Sequence, residues 1–249
     1  MDETGPRTKN VTAADKEPKG SRKLHMQRFV RSVVRLLMNL IADVEISGWE
    51  NLPPKGALVV AANHIGILDI LMFHYALDRF DMFIPVAEKF EKRAWIRWLA
   101  RQLNFLFVDR YNPDLKALRK MIGLMEQGNA LVIAPEGTRS RTGGLNEGKP
   151  GVAYLAARYG FPVLPIAITG TEDKVVLGNL KRLRRSHFTV TGGPTFVIPP
   201  LPREGRDSAL QAATDEIMCH IAVMLPPRYR GVYAEHPRLK ELSAQVGQP

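Results

Sequence analysis

Cysteine is almost missing from this sequence, with a single one, Cys219, in 249 residues. A disulfide framework is therefore excluded, a cysteine-built zinc site is not expected, and a reducing compartment fits. Long apolar runs are missing as well: no stretch reaches the roughly 18 to 20 uninterrupted apolar residues that a membrane-spanning helix needs. The first twenty residues are charged, contain Gly and Pro and lack an apolar core segment, so they read as a disordered tail with no signal peptide. Acidic residues are outnumbered, 25 Asp and Glu against 35 Lys and Arg, which leaves a formal charge of +10. Such a surface attracts nucleic acid, anionic lipid headgroups or phosphorylated substrates. No zinc finger, helix-turn-helix or aromatic–basic ribonucleoprotein signature is present, so nucleic acid is not an expected partner.

What the chain does have is a 45% hydrophobic composition, enough for one large core. Short β-rich runs alternate with helical ones. The pattern predicts strands over about 44–47, 57–62, 82–86, 104–108, 130–134, 163–169 and 188–191. Helices are predicted over about 68–77, 90–102, 113–126, 151–159 and 208–225. The runs ALVVAA, ALVIA and VLPIAIT are apolar without alternation, as in strands covered on both faces. The expected class is α/β, a mixed, mostly parallel sheet flanked by helices. The boundaries read as a tail over 1–23, an amphipathic helix over 24–43, a catalytic-type domain over 44–230 and a second tail over 231–249.

The helix over 24–43 has its own pattern. Arg28, Arg31, Ser32, Arg35, Asn39 and Asp43 fall three and four apart, a narrow polar stripe on an otherwise apolar surface. Arginines beside a wide apolar face suit a helix lying in a lipid headgroup layer; the same pattern also suits a helix packed on its own protein with the arginines in water.

Ligand sites in open parallel sheets gather at the carboxyl ends of the strands. The predicted strands end on Asn63-His64, Asp109-Arg110, Pro135-Glu136-Gly137-Thr138-Arg139 and Gly170-Thr171. A histidine, two arginines and a glutamate would thus share one rim. His64 and Asp69 are five apart, about 140° around a continuous helix, and would not meet if both were helical. They meet if His64 lies in the loop and Asp69 in the first turn of the next helix, with Gly66 allowing the bend. The carboxylate would then fix the imidazole tautomer and leave the other nitrogen free to take a proton from a hydroxyl. Arg110 and Arg139 could hold phosphate oxygens by paired hydrogen bonds, and Glu136 could orient Arg139 or accept from a substrate hydroxyl. Each of these residues alone also fits a helix cap or a surface ion pair contributing about 0 to 1 kcal/mol.

Taken in order, these segments resemble the motif blocks of the glycerolipid acyltransferase superfamily, above all its 1-acylglycerol-3-phosphate (lysophosphatidate) acyltransferases. Asn63-His64 through Asp69 is similar to the N-H-x4-D block. Asn104 to Arg110 is similar to the second block, Ala134-Pro-Glu-Gly-Thr-Arg-Ser140 to the third, and Phe161-Pro-Val-Leu-Pro165 to the fourth. The resemblance implies a glycerol-3-phosphate acyltransferase-like fold and direct acyl transfer from acyl-CoA or acyl carrier protein to a lysophospholipid hydroxyl, with His64 and Asp69 catalytic. It implies that Arg110, Glu136, Gly137, Thr138 and Arg139 bind the glycerol-phosphate end, with Asn63, Lys89 and Lys149 as further candidates. No cofactor and no metal are implied. The chain would work at the cytoplasmic face of the cell membrane, as a peripheral or monotopic protein in contact with anionic lipids.

Departures from the pattern leave other readings open. Ile65, Gly66, Ile67 and Leu68 stand between the histidine and the aspartate, so no hydroxyl inside the motif can form an acyl-enzyme. The A-K pair common after the next strand reads Ala87-Glu88-Lys89, and the third block begins with alanine in place of phenylalanine. A different acceptor, a lyso-aminolipid or another lysophospholipid, therefore stays open. So does a serine-dependent lipid hydrolase or thioesterase in which Ser140 or another hydroxyl forms an acyl-enzyme with His64. The basic run Lys181-Arg182-Leu183-Arg184-Arg185 fits anionic lipid, the phosphates of coenzyme A, or a solvated loop.

Overall fold

The computed structural model describes residues 19–109 and 114–246. Seven strands, β1 (Ala42–Ser47), β2 (Leu58–Ala62), β3 (Met82–Ala87), β4 (Phe105–Val108), β5 (Ala130–Ile133), β6 (Val163–Thr169) and β7 (Ser186–Gly192), form one sheet. Their order is β1-β7-β6-β2-β5-β3-β4. β6, β2, β5, β3 and β4 run parallel. β7 is antiparallel to β6 and parallel to β1, so the last two strands run against the other five. β2, at the centre, is buried along its whole length because Leu58, Val60 and Ala62 face one layer of helices while Val59 and Ala61 face the other.

One layer holds α4 (Leu115–Glu126), α5 (Gly151–Tyr159), α7 (Arg206–Met224) and α8 (Pro237–Val246). Local chemistry sets their ends. The Asp114 carboxylate accepts the Ala117 N–H at 2.8 Å and caps α4, while α5 stops at Gly160 in the left-handed region. The other layer holds α1 (Lys19–Ile41), α2 (Asp69–Ala76) and α6 (Asp173–Lys181), with α3 (Ala94–Gln102) packed beside α1.

Three expectations are corrected. The helix expected over 24–43 ends at Ile41, and Ala42 and Asp43 already belong to β1. The second tail is largely structured: residues 231–246 form a 3-10 turn and α8, fastened to α7 by the buried Tyr233, Leu239 and Leu242. The expected 44–230 domain therefore extends through α8. Its apolar residues are few, and Tyr233, Leu239 and Leu242 are the ones that turn inward, so the segment looks like a tail in composition alone. α6 is a helix that the sequence pattern does not predict, because Asp173, Lys174, Gly178, Asn179 and Lys181 interrupt its apolar residues and only Val176 packs inward. The first tail falls mostly on residues outside those described; 19–23 are helical.

The stripe on α1 also behaves differently from the expectation. At about 100° per residue, the helix has three sectors rather than two. Gln27, Val30, Arg31, Val34 and Met38 are buried, and Arg28, Ser32, Arg35 and Asn39 form a polar shoulder. Met26, Phe29, Val33, Leu36, Leu37 and Leu40 form an exposed apolar shoulder. The polar groups are spent on α2 and the loop after it. Arg31 donates to the carbonyls of His74, Leu77 and Arg79 and stacks 4.3 Å over the Phe80 ring. Arg35 donates to Tyr75 O, and Asn39 accepts from the Tyr75 hydroxyl at 2.7 Å. A guanidinium at a helix C-terminus satisfies carbonyls that lack helical partners and complements the dipole. Burial, and then the Arg31 charge, hold His74 down at about 3. Among the described residues no helix is long and apolar enough to cross a membrane.

Candidate active site

β2 lies between β6 and β5, so the loop that follows it sits between the loops that follow those two. Asn63, the first residue past β2, is buried, donates to Ile168 O at 2.8 Å and accepts from Ile168 N at 2.7 Å. Its amide continues the β2–β6 ladder after the backbone has turned away. Asn63 thus holds the loop in place, with both ends of its amide bonded to Ile168.

The turn places His64 outside the helix and Asp69 at its first residue. His64 Nδ1 lies 2.7 Å from Asp69 Oδ2. The same oxygen accepts the N–H groups of Ile65 at 2.8 Å and Gly66 at 2.9 Å, and Oδ1 accepts a very short bond from the Thr171 hydroxyl. With four donors the buried Asp69 carboxylate is saturated and fixed. The imidazole is 22% exposed, and no described residue bonds Nε2. Gly66 is needed for a reason the sequence did not suggest. A Cβ there would lie 1.8 Å from Thr171 O, so glycine lets the β2 and β6 loops touch.

On the other side stands the loop after β5. Glu136 is buried; Oε1 accepts the His64 N–H at 3.0 Å, and Oε2 accepts the Asn146 backbone and side-chain N–H groups at 2.9 and 2.7 Å. Burial pushes its carboxyl up, and the bonds from Asn146 and His64 pull it back. Glu136 is therefore a strut between two loops. It bonds His64 and Asn146 and does not orient Arg139, which pairs with Asp173 instead. The backbone of Ser140 adds a second tie, its N–H donating to His64 O at 2.7 Å. The Ser140 hydroxyl donates to Gly144 O at 2.6 Å and accepts from Gly143 N at 3.1 Å, so it closes its own loop rather than facing the imidazole.

Gly137 lies in the left-handed region, and a Cβ there would meet the Lys149 stem at 3.0 Å. The missing side chain is a slot for Lys149, whose N–H also holds Pro135 O at 2.9 Å. Thr138 and Arg139 are exposed at the tip. Arg139 pairs with Asp173 at 2.5 Å, and Asp173 accepts the Ile67 N–H at 2.8 Å. The β5 and β6 loops thus join hands across the His64 loop.

The structure brings His64, Asp69, Glu136, Gly137, Arg139 and Lys149 together. Lys89 is different: it follows β3, two strands from β2 and so about 10 Å across the sheet, with its ammonium 5.3 Å over the Phe90 ring. Arg110 lies outside the described residues. Thr171, Asp173 and Asn146 were missed. The sequence marked Gly170-Thr171 as a strand end, but only the order β6-β2-β5 shows that Thr171 must face Asp69. Among the described residues no group of three or more His, Cys, Asp or Glu is arranged to hold a metal.

A histidine held by a saturated carboxylate thus stands, with Arg139 on a neighbouring loop, at the carboxyl edge of a mostly parallel sheet, where ligand sites of such sheets gather. The chain belongs to the Acyltransferase family, whose family model matches residues 43–169. It is 33% identical over 196 residues to a 1-acyl-sn-glycerol-3-phosphate acyltransferase of Chlamydomonas reinhardtii, covering 77% of this chain and 56% of that one. It is 25% identical over 149 residues to the Bacillus subtilis 1-acyl-sn-glycerol-3-phosphate acyltransferase, covering 59% and 73%. The chain thus spans little more than half the length of the algal relative. The crystal structure of the 1-acyl-sn-glycerophosphate acyltransferase PlsC of Thermotoga maritima shares the fold, with a TM-score of 0.62 at 23% identity over 82% of this chain and 81% of that one.

Proposed function

We propose that this chain transfers a fatty acyl group from acyl-CoA or acyl carrier protein to the sn-2 hydroxyl of 1-acyl-sn-glycerol-3-phosphate, giving phosphatidic acid. The observation that carries the reading is the His64–Asp69 pair, joined through Nδ1 at 2.7 Å with Nε2 turned away from the carboxylate. His64 Nε2 takes the hydroxyl proton as the oxygen attacks the thioester carbonyl. The tetrahedral intermediate then expels the thiolate, which takes the proton from the imidazolium. Asp69 orients the ring and stabilises that imidazolium. No acyl-enzyme is needed, and direct transfer is favoured over a hydrolase using Ser140 because that hydroxyl is bound to its own loop.

Arg139, paired with Asp173, and Lys149, against Gly137, would receive the acceptor's phosphate, with Arg110 as a third contact; Asp173 gives way as phosphate pairs with Arg139. The work is done at a membrane surface, where the acceptor resides and on which the exposed apolar shoulder of α1 lies. The test is to incubate the protein in vesicles with labelled acyl-CoA or acyl carrier protein and a panel of lysolipids. Product on lysophosphatidate, reduced about 10²- to 10⁴-fold by His64→Ala, is expected. Product on another lysolipid only would move the acceptor, and equal product from both proteins would remove His64 from the chemistry.

A further inference from the structure

The turn between α6 and β7 holds an apolar side chain in a place that protein packing does not explain. Leu183 is 94% exposed and has φ +52°, a left-handed conformation that a leucine adopts only under constraint. The constraint is visible. The N–H of Leu183 donates to Leu180 O at 3.1 Å, and those of Arg182 and Arg184 donate to Asn179 O at 3.0 and 2.9 Å. The Asn179 side chain in turn donates to Ser186 Oγ at 3.1 Å. Leu183 is thus presented on a rigid turn, ringed by Lys181, Arg182 and Arg184. Those three cations have no acidic partner among the described residues.

The turn is continuous with the apolar shoulder of α1. The Arg185 guanidinium donates to Asn39 O at 2.8 Å and Ala42 O at 2.6 Å and pairs with Asp43 at 2.8 Å, which ties the turn to the end of α1. α6 itself exposes Val175, Leu177 and Leu180. Its first residue, Asp173, holds both Arg139 and the Ile67 N–H, and Ile67 is exposed beside the base loop. One helix of nine residues therefore connects the catalytic rim to the turn.

We propose that the α6–β7 turn is a second bilayer contact, in which Leu183 enters the headgroup layer and Lys181, Arg182 and Arg184 meet anionic lipid phosphates, so that the rim around His64 is held facing the membrane. Charge complementarity selects this partner. Three unpaired cations around one apolar tip repel a second copy presenting the same tip, and the turn offers no aromatic face on which a nucleotide base could stack. The inference rests on the membrane reading of α1 and not on which lysolipid is the acceptor.

The test is sedimentation of the full chain with sucrose-loaded vesicles of phosphatidylcholine alone or mixed with phosphatidylglycerol, without substrates. Leu183→Asn keeps a residue that tolerates the left-handed region, so the fold is retained and an unchanged melting temperature checks it. The wild type is expected to partition to the anionic vesicles in a salt-dependent way. Leu183→Asn and the double variant R182Q/R184Q are each expected to bind about tenfold more weakly, while Leu183→Asn acylates a dispersed short-chain acceptor at the wild-type rate. Wild-type binding that Leu183→Asn leaves unchanged overturns the turn's role alone. A wild type that ignores vesicles overturns the membrane reading with it, and a dimer that Leu183→Asn dissociates assigns the turn to a second copy instead.

Discussion

The two helical layers cover the same sheet by the same rule yet finish their outer surfaces differently. Over α4, α5, α7 and α8, the exposed apolar residues such as Leu115, Val197 and Val232 stand singly on separate segments, as on any protein in water. An ion-pair cluster fastens its last helix: Arg238 meets Glu216 at 2.6 Å and Glu241 at 2.8 Å. Over α1 and α6 the order is reversed. The arginines of α1 are spent inward or sideways on α2, and six apolar side chains of one helix, with three more on α6, face outward. Hydrophobic burial shapes both interiors, so the difference lies in the surroundings each exterior suits. The His64 loop lies at the sheet edge where the two exteriors meet.

The largest break in that comparison comes from the edge itself, because it should be indifferent to which exterior delivers the substrate. In Asp69→Asn the amide can donate to His64 Nδ1, which puts the ring proton on Nε2 and blocks proton acceptance. Turnover should fall about 10²- to 10⁴-fold with both vesicle-borne and dispersed acceptor. A near-wild-type rate with either acceptor would remove the pair from the mechanism. Next comes the outward face. Phe29→Asp with Leu36→Asp alters residues that are 62% and 69% exposed, so folding stability should hold while vesicle partition drops about tenfold or more. Leu115→Asp, on the opposite layer, should leave partition unchanged. If the two variants behave alike, the contrast between the layers carries no functional meaning.

Much of this was legible in the sequence, and what was not has identifiable causes. The central strands β2, β5 and β6 follow from unbroken apolar runs, the other four from short β-rich runs, and five helices from their periodicity. The encounter of His64 with Asp69 followed from spacing and one helix start. The roles of Asn63 and Glu136 did not, since a polar residue beside a histidine reads alike whether it faces a ligand or a backbone; only burial and partners tell these apart. Thr171 was hidden for a different reason. Its contact with Asp69 spans 102 residues and depends on β6 lying next to β2, which local pattern does not encode. On α1 the pattern showed polar and apolar stripes, but not that the polar one would be drawn to the carbonyl end of α2.

Smaller effects probe how tightly each side is tied. Thr171→Val removes the hydroxyl under Asp69 and keeps the shape, leaving a buried carboxylate oxygen unsatisfied at a cost of about 1 to 3 kcal/mol. Turnover should fall about tenfold with KM unchanged, and Thr171→Ser should restore it. A purely structural threonine would lower the melting temperature without this split in the kinetics. The smallest effect belongs to the layer of α7 and α8. Bonds from His220 and then Arg238 hold the Glu216 carboxyl at about 2, against an ordinary 4.5. A depressed folded pKa means that the unfolded chain takes the proton first. The contribution is therefore complete above about pH 4.5 and disappears as the pH falls towards about 2. Amide exchange in α8, which Arg238 fastens to α7 through Glu216, should quicken over that interval in the wild type. In Glu216→Gln it should already be fast at neutral pH and change little on acidification; a wild-type-like profile would assign the fastening of α8 to Leu239 and Leu242 alone.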